Sequence, residues 1–420
     1  MEKLFSFFLS KFLYRKVYDE DGEYIGKLWD MYVTTQDGMP RVIGYQIKKK
    51  NELFNCEFKN INFYKDNEKA VIKVQGEREI ILQSYSYLLS KHLLDRQIVD
   101  INGKKLVRVN DLRIAEIAGE YRVIAVDTGA LSLGRRLGAE KLVERLFRLS
   151  GKKPEDTLII WDNVESLEMV NNNLKLSVPY KKLSKLHPAD LADILEDMDI
   201  NYRKRVFESL DENLAADTLE EIEADIQVDL LENLSQSKRE EVLDNMPNDE
   251  IADILEEVDE ETAERILLNM EKEDADEVRA LMEYEDETVG SLMNTDFISF
   301  NINITARETI ELIREMNPDD EVSHYIYIVD ENEKIAGILS LKDLLVADPE
   351  SDLRDIMIED VVYIKDSDSI DLAIELAAKY NFLSLPVVDD EEKLCGIIIM
   401  NDIIGEIFIP IWRRRLKKVV

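Results

Sequence analysis

Cysteine and histidine are scarce in this chain of 420 residues. Its two cysteines, Cys56 and Cys395, lie far apart, which argues against a disulfide framework and is typical of a reducing compartment. Its three histidines have no cysteine or histidine neighbour at ligand spacing, which disfavours a zinc centre. A P-loop, a dinucleotide-binding fingerprint and a nucleophile paired with a base are absent too. The sequence therefore predicts a protein without catalytic activity.

Long apolar runs are also lacking. No stretch reaches the roughly 18 uncharged residues that a membrane-spanning helix requires. The apolar start of the chain is interrupted by Lys11 and followed by Arg15 and Lys16, and it has no small-x-small cleavage site. It is therefore assigned to the first folded module rather than to a signal peptide. Together with the cysteine usage, these features predict a cytoplasmic protein.

Positive charge is in deficit. The chain has 53 Lys and Arg against 89 Asp and Glu, a formal net charge of −36, and this acidity disfavours nucleic acid as a partner. Most of the imbalance falls between Leu186 and Gly290, which carry about 36 acidic and about 8 basic side chains. The apolar content of 45% is still ample for packed cores, and the length predicts about two to four domains.

The acidic region contains an internal repeat. The letters ADILE occur at Ala192–Glu196 and again at Ala252–Glu256, within short segments that place aliphatic side chains three and four positions apart. This spacing is helical, and helices so short bury their apolar sides by stacking on one another. The region, which we call the acidic array (residues 183–285), is predicted to be a superhelix of helical hairpins.

The charge of the acidic array has two interpretations. For any single carboxylate a solvated surface is the better one, but repulsion among so many like charges disfavours compaction, and a divalent cation shared between carboxylates relieves it. Asp249 and Asp253 are four positions apart and project from one side of a helix. Oxygen ligands favour Mg²⁺ or Ca²⁺ over Zn²⁺. The abundance of Mg²⁺ in cells favours it as the physiological ion, and Ca²⁺ and Mn²⁺ are the alternatives.

The region ahead of the acidic array is rich in predicted strands and is duplicated. The segment Lys16–Asp30 begins with the letters KVYD and contains Gly22 and Gly26. A similar pattern recurs 81 positions later in Gln97–Asp111. Both copies place Asp and Gly in a tight hairpin turn. The first copy resembles the PRC-barrel family of small β-barrels, and the second is a weaker match because Val107 replaces a glycine. Since such barrels serve mainly as docking modules, the resemblance implies an unidentified protein partner.

The region after the acidic array alternates strands and helices in two copies at an offset of 59. It resembles a tandem pair of CBS modules, which implies a homodimer formed through the pair. Family members that bind adenosine nucleotides use a turn of the form Gly-h-h-Ser/Thr-x-x-Asp. The first copy keeps this turn as Gly337, Ser340 and Asp343, whereas the second keeps Asp402 but has Ile399 in place of the hydroxyl. These residues indicate either a nucleotide site or ordinary strand-to-helix caps.

The acidic array and the CBS pair together resemble the cytosolic half of MgtE-type magnesium transporters. In that family the two domains close around Mg²⁺ and separate when it is scarce, so the resemblance implies a cation-dependent clamp. The family's bridging positions that are acidic here are Asp217, Asp249, Asp253, Asp371 and Asp402. Two further positions, Asn381 and Gly405, lack a charge, which implies fewer or weaker sites.

Two basic segments stand out against this acidity. Residues 134–154 predict one amphipathic helix whose cationic side can dock on the acidic array. Residues 410–420 predict a basic tail that rests either on an anionic membrane or, as we slightly favour, on the acidic array. Because the family's pore domain does not follow the CBS pair in this sequence, we expect no ion conduction by this chain alone.

These assignments predict a multidomain α+β fold with duplicated PRC-barrel-like β modules, an acidic α-helical superhelix and a tandem CBS (βαββα) pair. The segments, in order, are 1–90 and 91–182 for the PRC-like modules, 183–285 for the acidic array, 286–346 and 347–409 for the CBS modules, and 410–420 for the tail. We predict a regulatory protein that senses Mg²⁺ by closing the acidic array onto the CBS pair. The alternatives are an adenosine-nucleotide sensor and an accessory subunit in magnesium transport.

Overall fold

The computed structural model describes residues 1–35, 38–66, 69–82, 86–150, 157–166, 182–285 and 287–404. The chain divides into two compact units, Met1–Ile222 and Glu223–Val420. The first unit contains the β-rich region and the first three helices of the acidic array, and the second contains five further helices and the CBS pair. Gly405 and the basic tail lie outside the described residues.

Strands dominate the first unit. They are β1 (Glu2–Lys3), β2 (Ser6–Phe8), β3 (Lys16–Tyr18), β4 (Tyr24–Thr34), β5 (Arg41–Lys49), β6 (Glu52–Asp66), β7 (Lys69–Glu79), β8 (Ser86–Leu88), β9 (Gln97–Asp100), β10 (Lys105–Arg108), β11 (Asp111–Ile117), β12 (Glu120–Asp127), β13 (Leu158–Ile160) and β14 (Val164–Ser166). Over the described ranges, 11 strands form one sheet in the order β1-β6-β7-β3-β4-β5-β12-β11-β2, with β13 beside β12 and β8 beside β4. A smaller sheet has the order β10-β9-β14.

The two sequence copies of this region exchange their first strands. Strand β2 at the start of the first copy pairs with β11 of the second. Strand β8 begins the second copy, although the predicted boundary after residue 90 placed it in the first, and it pairs with β4 of the first copy. A short helix follows each exchanged strand, α1 (Leu9–Phe12) or α2 (Leu89–His92). The serine of each helix donates its amide and its hydroxyl to a buried aspartate of the other copy, in the pairs Ser10 with Asp111 and Ser90 with Asp30. The two copies therefore share one hydrophobic core.

The basic segment 134–154 was predicted as one helix, and this prediction is wrong. The chain forms α3 (Ala130–Arg136) and α4 (Glu140–Ser150), separated by a turn at Gly138. Gly138 has φ +73°, a left-handed conformation that ends helices and that glycine adopts without steric cost. The missing side chain of Gly134 lets α3 approach Val143 of α4 closely.

The acidic array consists of short helices. Those of the first unit are α5 (Pro188–Glu196), α6 (Ile200–Phe207) and α7 (Glu212–Glu220), and those of the second are α8 (Ala224–Asn233), α9 (Gln236–Leu243), α10 (Asn248–Glu256), α11 (Glu260–Leu267) and α12 (Lys272–Leu281). Aspartates cap several of them by accepting a backbone hydrogen bond, as Asp199, Asp211 and Asp259 do. The helical prediction for this region is confirmed.

The CBS pair repeats one topology twice. Its elements are β15 (Ser299–Asn301), α13 (Ala306–Met316), β16 (Tyr325–Val329), β17 (Ile335–Ser340), α14 (Leu341–Val346), α15 (Leu353–Ile356), β18 (Ile364–Lys365), α16 (Ile370–Tyr380), β19 (Ser384–Val388), β20 (Leu394–Ile399) and α17 (Met400–Ile403). In each module the first strand runs parallel to the second, and the third is antiparallel to the second. A hydrogen bond of 3.1 Å between the hydroxyls of Tyr327 and Ser384 joins the modules.

Candidate metal and nucleotide sites

Asp249 carries a buried carboxylate oxygen. It lies in the first turn of α10, where the helix dipole favours a negative charge. Its Oδ1 atom is buried and accepts no hydrogen bond from the part of the chain that the structure describes. A buried oxygen in this state costs free energy unless a proton or a cation satisfies it.

Several negative charges act on Asp249. Burial raises the pKa of its carboxyl well above the usual value of 3.8, and the charge of Asp402 raises it further, as do the charges of Asp253 and Asp296. The pKa of Asp296 is itself raised, chiefly by burial and then by Asp319 and Asp274. The second unit therefore concentrates like charges around one carboxylate.

The local structure of Asp402 differs from that of its counterpart in the first CBS module. Asp402 lies in α17, and Ile399 at the start of this helix makes no side-chain capping hydrogen bond. One carboxylate oxygen of Asp402 is buried. At the equivalent place in the first module, Asp343 and Ser340 form a capping box, whereas position 399 is an isoleucine without a hydroxyl.

The other predicted metal ligands are more dispersed. Asp217 is an exposed residue of α7 in the first unit, and Asp371 is exposed in the first turn of α16 in the second. Asn381 ends α16 in a left-handed conformation with φ +57°. Of the predicted residues, the structure thus brings Asp253 and Asp402 into electrostatic range of Asp249.

The carboxylates around Asp249 do not form a closed coordination shell. Within the described ranges, no three His, Cys, Asp or Glu side chains are close enough to hold a metal ion. Since Mg²⁺ binds oxygens at about 2.0–2.1 Å, the carboxylates must approach one another further to share it. The buried oxygen of Asp249 and the all-oxygen donors still fit a hard divalent cation in their chemistry.

The predicted nucleotide turn forms a helix cap. Ser340 donates its hydroxyl to Asp343 at 2.6 Å and accepts from the Asp343 amide at 3.2 Å, and its own amide donates to the same carboxylate. These bonds, led by the Ser340 hydroxyl, lower the pKa of Asp343. Gly337 lies against Met357, where a side chain on the glycine would clash. Each of the three residues therefore has a structural role, and a ribose must compete with Ser340 for Asp343.

An ion pair that the sequence did not predict joins the β-rich region to the acidic array within the first unit. Lys104, beside strand β10, pairs with Asp190 in the first turn of α5. Lys182 also donates to the backbone carbonyl of Val164 at 2.8 Å. The ion pair connects residues far apart in the sequence, so no local pattern signals it.

Family models match three parts of the chain. The PRC-barrel domain model matches residues 6–78, the MgtE intracellular N domain model matches residues 186–287, and the CBS domain model matches residues 289–350 and 353–409. These matches confirm the predicted kinds of domain. No helix among the described residues has the length and apolar character needed to cross a membrane.

Curated relatives and solved structures match part of the chain. The magnesium transporter MgtE of Thermus thermophilus is 39% identical over 120 residues, which are 28% of this chain and 26% of the relative. The chain thus spans about a quarter of the length of the curated relatives it matches. A crystal structure of the cytosolic domain of the Mg²⁺ channel MgtE in complex with ATP is 31% identical, with a TM-score of 0.52, and covers 56% of this chain and 94% of that one.

A crystal structure of the soluble part of a magnesium transporter is similar at 29% identity and a TM-score of 0.51, and covers 54% of this chain and 89% of that one. Both solved structures contain little beyond the part that is shared. Through its MgtE intracellular N domain and its CBS pair, the chain therefore belongs to the family of MgtE cytosolic domains, with a PRC-barrel domain ahead of them.

Proposed function

We propose that this chain is a non-catalytic, cytoplasmic regulatory protein that senses Mg²⁺. A cation held between Asp249 and Asp402 keeps α10 of the acidic array against α17 of the CBS pair, and its loss releases them. The observation that supports this proposal is the buried Oδ1 atom of Asp249, which accepts no hydrogen bond within the described residues and is subject to the charge of Asp402.

Electrostatic repulsion between the carboxylates explains why a bound cation favours the closed state. Two unit charges about 4 Å apart repel by about 4 kcal/mol at an effective dielectric constant near 20. A divalent cation between them replaces this repulsion with two attractions, so the bound state gains population as the Mg²⁺ concentration rises. Asp253 and Asp296 add negative potential and favour cation entry. Asp217 and Asp371 are proposed as further, more exposed ligands.

The comparisons support magnesium as the ion. The related proteins are named magnesium transporters and a Mg²⁺ channel. Because the matched solved structures are cytosolic or soluble parts of magnesium transport proteins, we propose regulation as the activity of this chain. We also propose that the CBS pair forms a homodimer and that the PRC-barrel domain docks a protein partner.

A second candidate function is adenosine-nucleotide sensing at Gly337, Ser340 and Asp343. It is supported by the ATP complex of the related cytosolic domain and by the intact turn of the first CBS module. In this proposal the ribose hydroxyls take the place of the Ser340 hydroxyl at the Asp343 carboxylate.

Limited proteolysis between residues 280 and 295, across a Mg²⁺ titration at constant ionic strength, tests the Mg²⁺ proposal. We expect protection at millimolar Mg²⁺ in the parent protein, and its loss in Asp249→Asn and Asp402→Asn. Two matched controls are available: Asp193→Asn changes the exposed equivalent of Asp253 in α5, and Asp343→Asn changes the equivalent of Asp402 in the first CBS module. Both controls should retain the Mg²⁺ response.

Other outcomes distinguish the candidates. Protection by ATP that is lost in Asp343→Asn and kept in Asp249→Asn would transfer the function to the CBS pair. Equal protection by Mg²⁺ in Asp249→Asn and in the parent protein would contradict the proposed cation site. Protection by Ca²⁺ or Mn²⁺ at lower concentration than Mg²⁺ would keep the site and change its ion.

A further inference from the structure

Helix α4 exposes a row of leucines. Leu142, Leu146 and Leu149 are 62%, 58% and 76% exposed, and they follow the spacing i, i+4, i+7 that aligns side chains along one side of a helix. Leu137, in the turn before α4, is 71% exposed. Single exposed leucines are common on protein surfaces, but an aligned set is a contiguous apolar patch and marks an interaction surface.

Cations border this row. Lys141, Arg145 and Arg148 repeat the spacing i, i+4, i+7 one position earlier, so their side of the helix is rotated by about 100° from the leucines. All three are exposed, and within the described part of the chain none takes part in an ion pair. The acidic residues of α4, Glu140 and Glu144, lie beyond the cations on the side away from the leucines.

Other residues of α4 contact α3. Val143 packs close to Gly134 of α3, which fixes the inner side of α4. Arg135 of α3 pairs with Glu140 and with the buried Asp111, so it belongs to the core and not to the outer surface. The leucine row and its cationic border, by contrast, are exposed to solvent.

The sequence predicted that this segment docks on the acidic array, and the exposed leucines argue against that occupant. Between residues 186 and 285, the large apolar side chains that are exposed among those described are Ile200 and Leu268. An acidic surface with so little apolar area neutralises the cations and leaves the leucines uncovered. A second copy of α4 packed antiparallel covers the leucines but brings two cationic borders together, which repel.

We propose that α4 is a membrane-docking helix that binds the surface of an anionic lipid bilayer. The leucines enter the boundary between headgroups and acyl chains, and Lys141, Arg145 and Arg148 contact the lipid phosphates. An anionic bilayer is the surface that offers an apolar layer directly beneath negative charge. The proposal concerns a helix that lies on the membrane, and it is independent of the Mg²⁺ site.

The acidity of the whole chain does not prevent this binding. Charges separated by more than the Debye length, about 8 Å at physiological ionic strength, are largely screened, so the local cations determine the attraction. Each cation near an anionic surface contributes about 1 kcal/mol, which makes the binding reversible and salt-dependent.

Co-sedimentation of the full-length chain with vesicles tests the proposal. The vesicles contain phosphatidylcholine alone or with about 30 mol% phosphatidylglycerol, as a model of an anionic surface. We expect binding to the anionic vesicles, at least tenfold weaker binding for Leu142→Gln/Leu146→Gln/Leu149→Gln, and about thirtyfold weaker binding for Arg145→Gln/Arg148→Gln. Leu268→Gln is a matched control, because Leu268 and Leu149 are both 76% exposed, and it should bind like the parent protein.

Three results would overturn the proposal. The first is no binding of the parent protein to anionic vesicles. The second is binding that survives the triple leucine substitution and is lost when residues 410–420 are deleted, which would assign it to the basic tail. The third is a homodimer in solution that the triple substitution dissociates while vesicle binding is unchanged, which would assign α4 to contact between copies. Circular dichroism of each variant checks that the fold is retained.

Discussion

Helices α5 and α10 are copies of one sequence that are attached in opposite ways. Both bury the same four positions, which are Leu191, Ala192, Ile194 and Leu195 in α5 and Ile251, Ala252, Ile254 and Leu255 in α10. Their other sides differ. Asp190 of α5 pairs with Lys104, whereas Asp249 of α10 is subject to the negative charge of Asp402.

The difference arises from single substitutions on a common scaffold. At the position of Asp249, α5 has Ala189, and the first-turn acid of α5 is Asp190 instead. The attachment of α5 joins opposite charges and needs no further component. The attachment of α10 joins like charges and is stable when a proton or a cation compensates them. Under the proposed function, the repeat supplies one permanent joint, between α5 and β10, and one conditional joint, between α10 and α17, without any change in its buried side.

The largest effect on stability is expected from substitutions at the buried positions that α5 and α10 share. Leu195 and Leu255 are 0% and 1% exposed, so Leu195→Ala and Leu255→Ala should each lower the free energy of unfolding of its own unit by about 2–5 kcal/mol. Amide hydrogen exchange measured in α5 and α10 separates the two units.

The two losses should agree within about 1–2 kcal/mol, given the spread that cavity relaxation produces. Leu268→Ala, at an exposed site of the same acidic array, is the control and should change stability by less than about 0.5 kcal/mol. A negligible loss at one of the two buried leucines would break the equivalence of the repeats.

An effect of intermediate size on stability is expected from pH, and only for the unit that contains α10. The folded-state pKa of Asp249 is raised, so between its ordinary value of 3.8 and the raised value the folded state holds a proton that the unfolded state has lost. Stability of the second unit should therefore fall as pH rises through this window, by about 1.4 kcal/mol for each unit of pKa shift. Asp249→Asn should flatten the decline, as should saturating Mg²⁺.

Hydrogen exchange or thermal unfolding between pH 4 and pH 8, with a chelator present, measures this slope. Asp193→Asn is the control and should leave the slope unchanged. Part of the slope should persist in Asp249→Asn, because burial also raises the pKa of Asp296 in the same unit. A slope that is the same in Asp249→Asn and in the parent protein would show that Asp249 ionises without cost.

Regular patterns predicted the fold and the placement of two acidic residues on one helix. Helical periodicity identified the acidic array, and the repeat predicted that α5 and α10 bury equivalent residues. The spacing of Asp249 and Asp253 placed both on one side of α10. The separation of α3 from α4 was visible in principle as Gly138, but a glycine within a helical pattern is compatible with a continuous helix as well as with a break.

Contacts between distant segments could not be predicted in this way. Asp296 lies in a loop after Asn294, and its effect on Asp249 depends on how the CBS pair folds. The pairing of Lys104 with Asp190 joins residues in different domains, and nothing in either local sequence distinguishes these two charges from their neighbours. The exchange of β2 and β8 between the two β-rich copies likewise depends on tertiary packing.

The smallest effect is expected at the permanent joint. Lys104 and Asp190 have side chains that are 54% and 25% exposed, so solvent screens their attraction, and Lys104→Ala should cost at most about 1 kcal/mol. The exchange Lys104→Asp/Asp190→Lys should restore part of the loss, since the Coulomb attraction survives the swap, while each charge reversal alone places like charges together. Thermal unfolding at low and high salt measures the four proteins, and the coupling should decrease as salt rises. Additive single effects in this cycle would mean that packing alone holds α5 to β10. The α5–β10 contact would then differ from the proposed α10–α17 contact in that charge contributes only to the second.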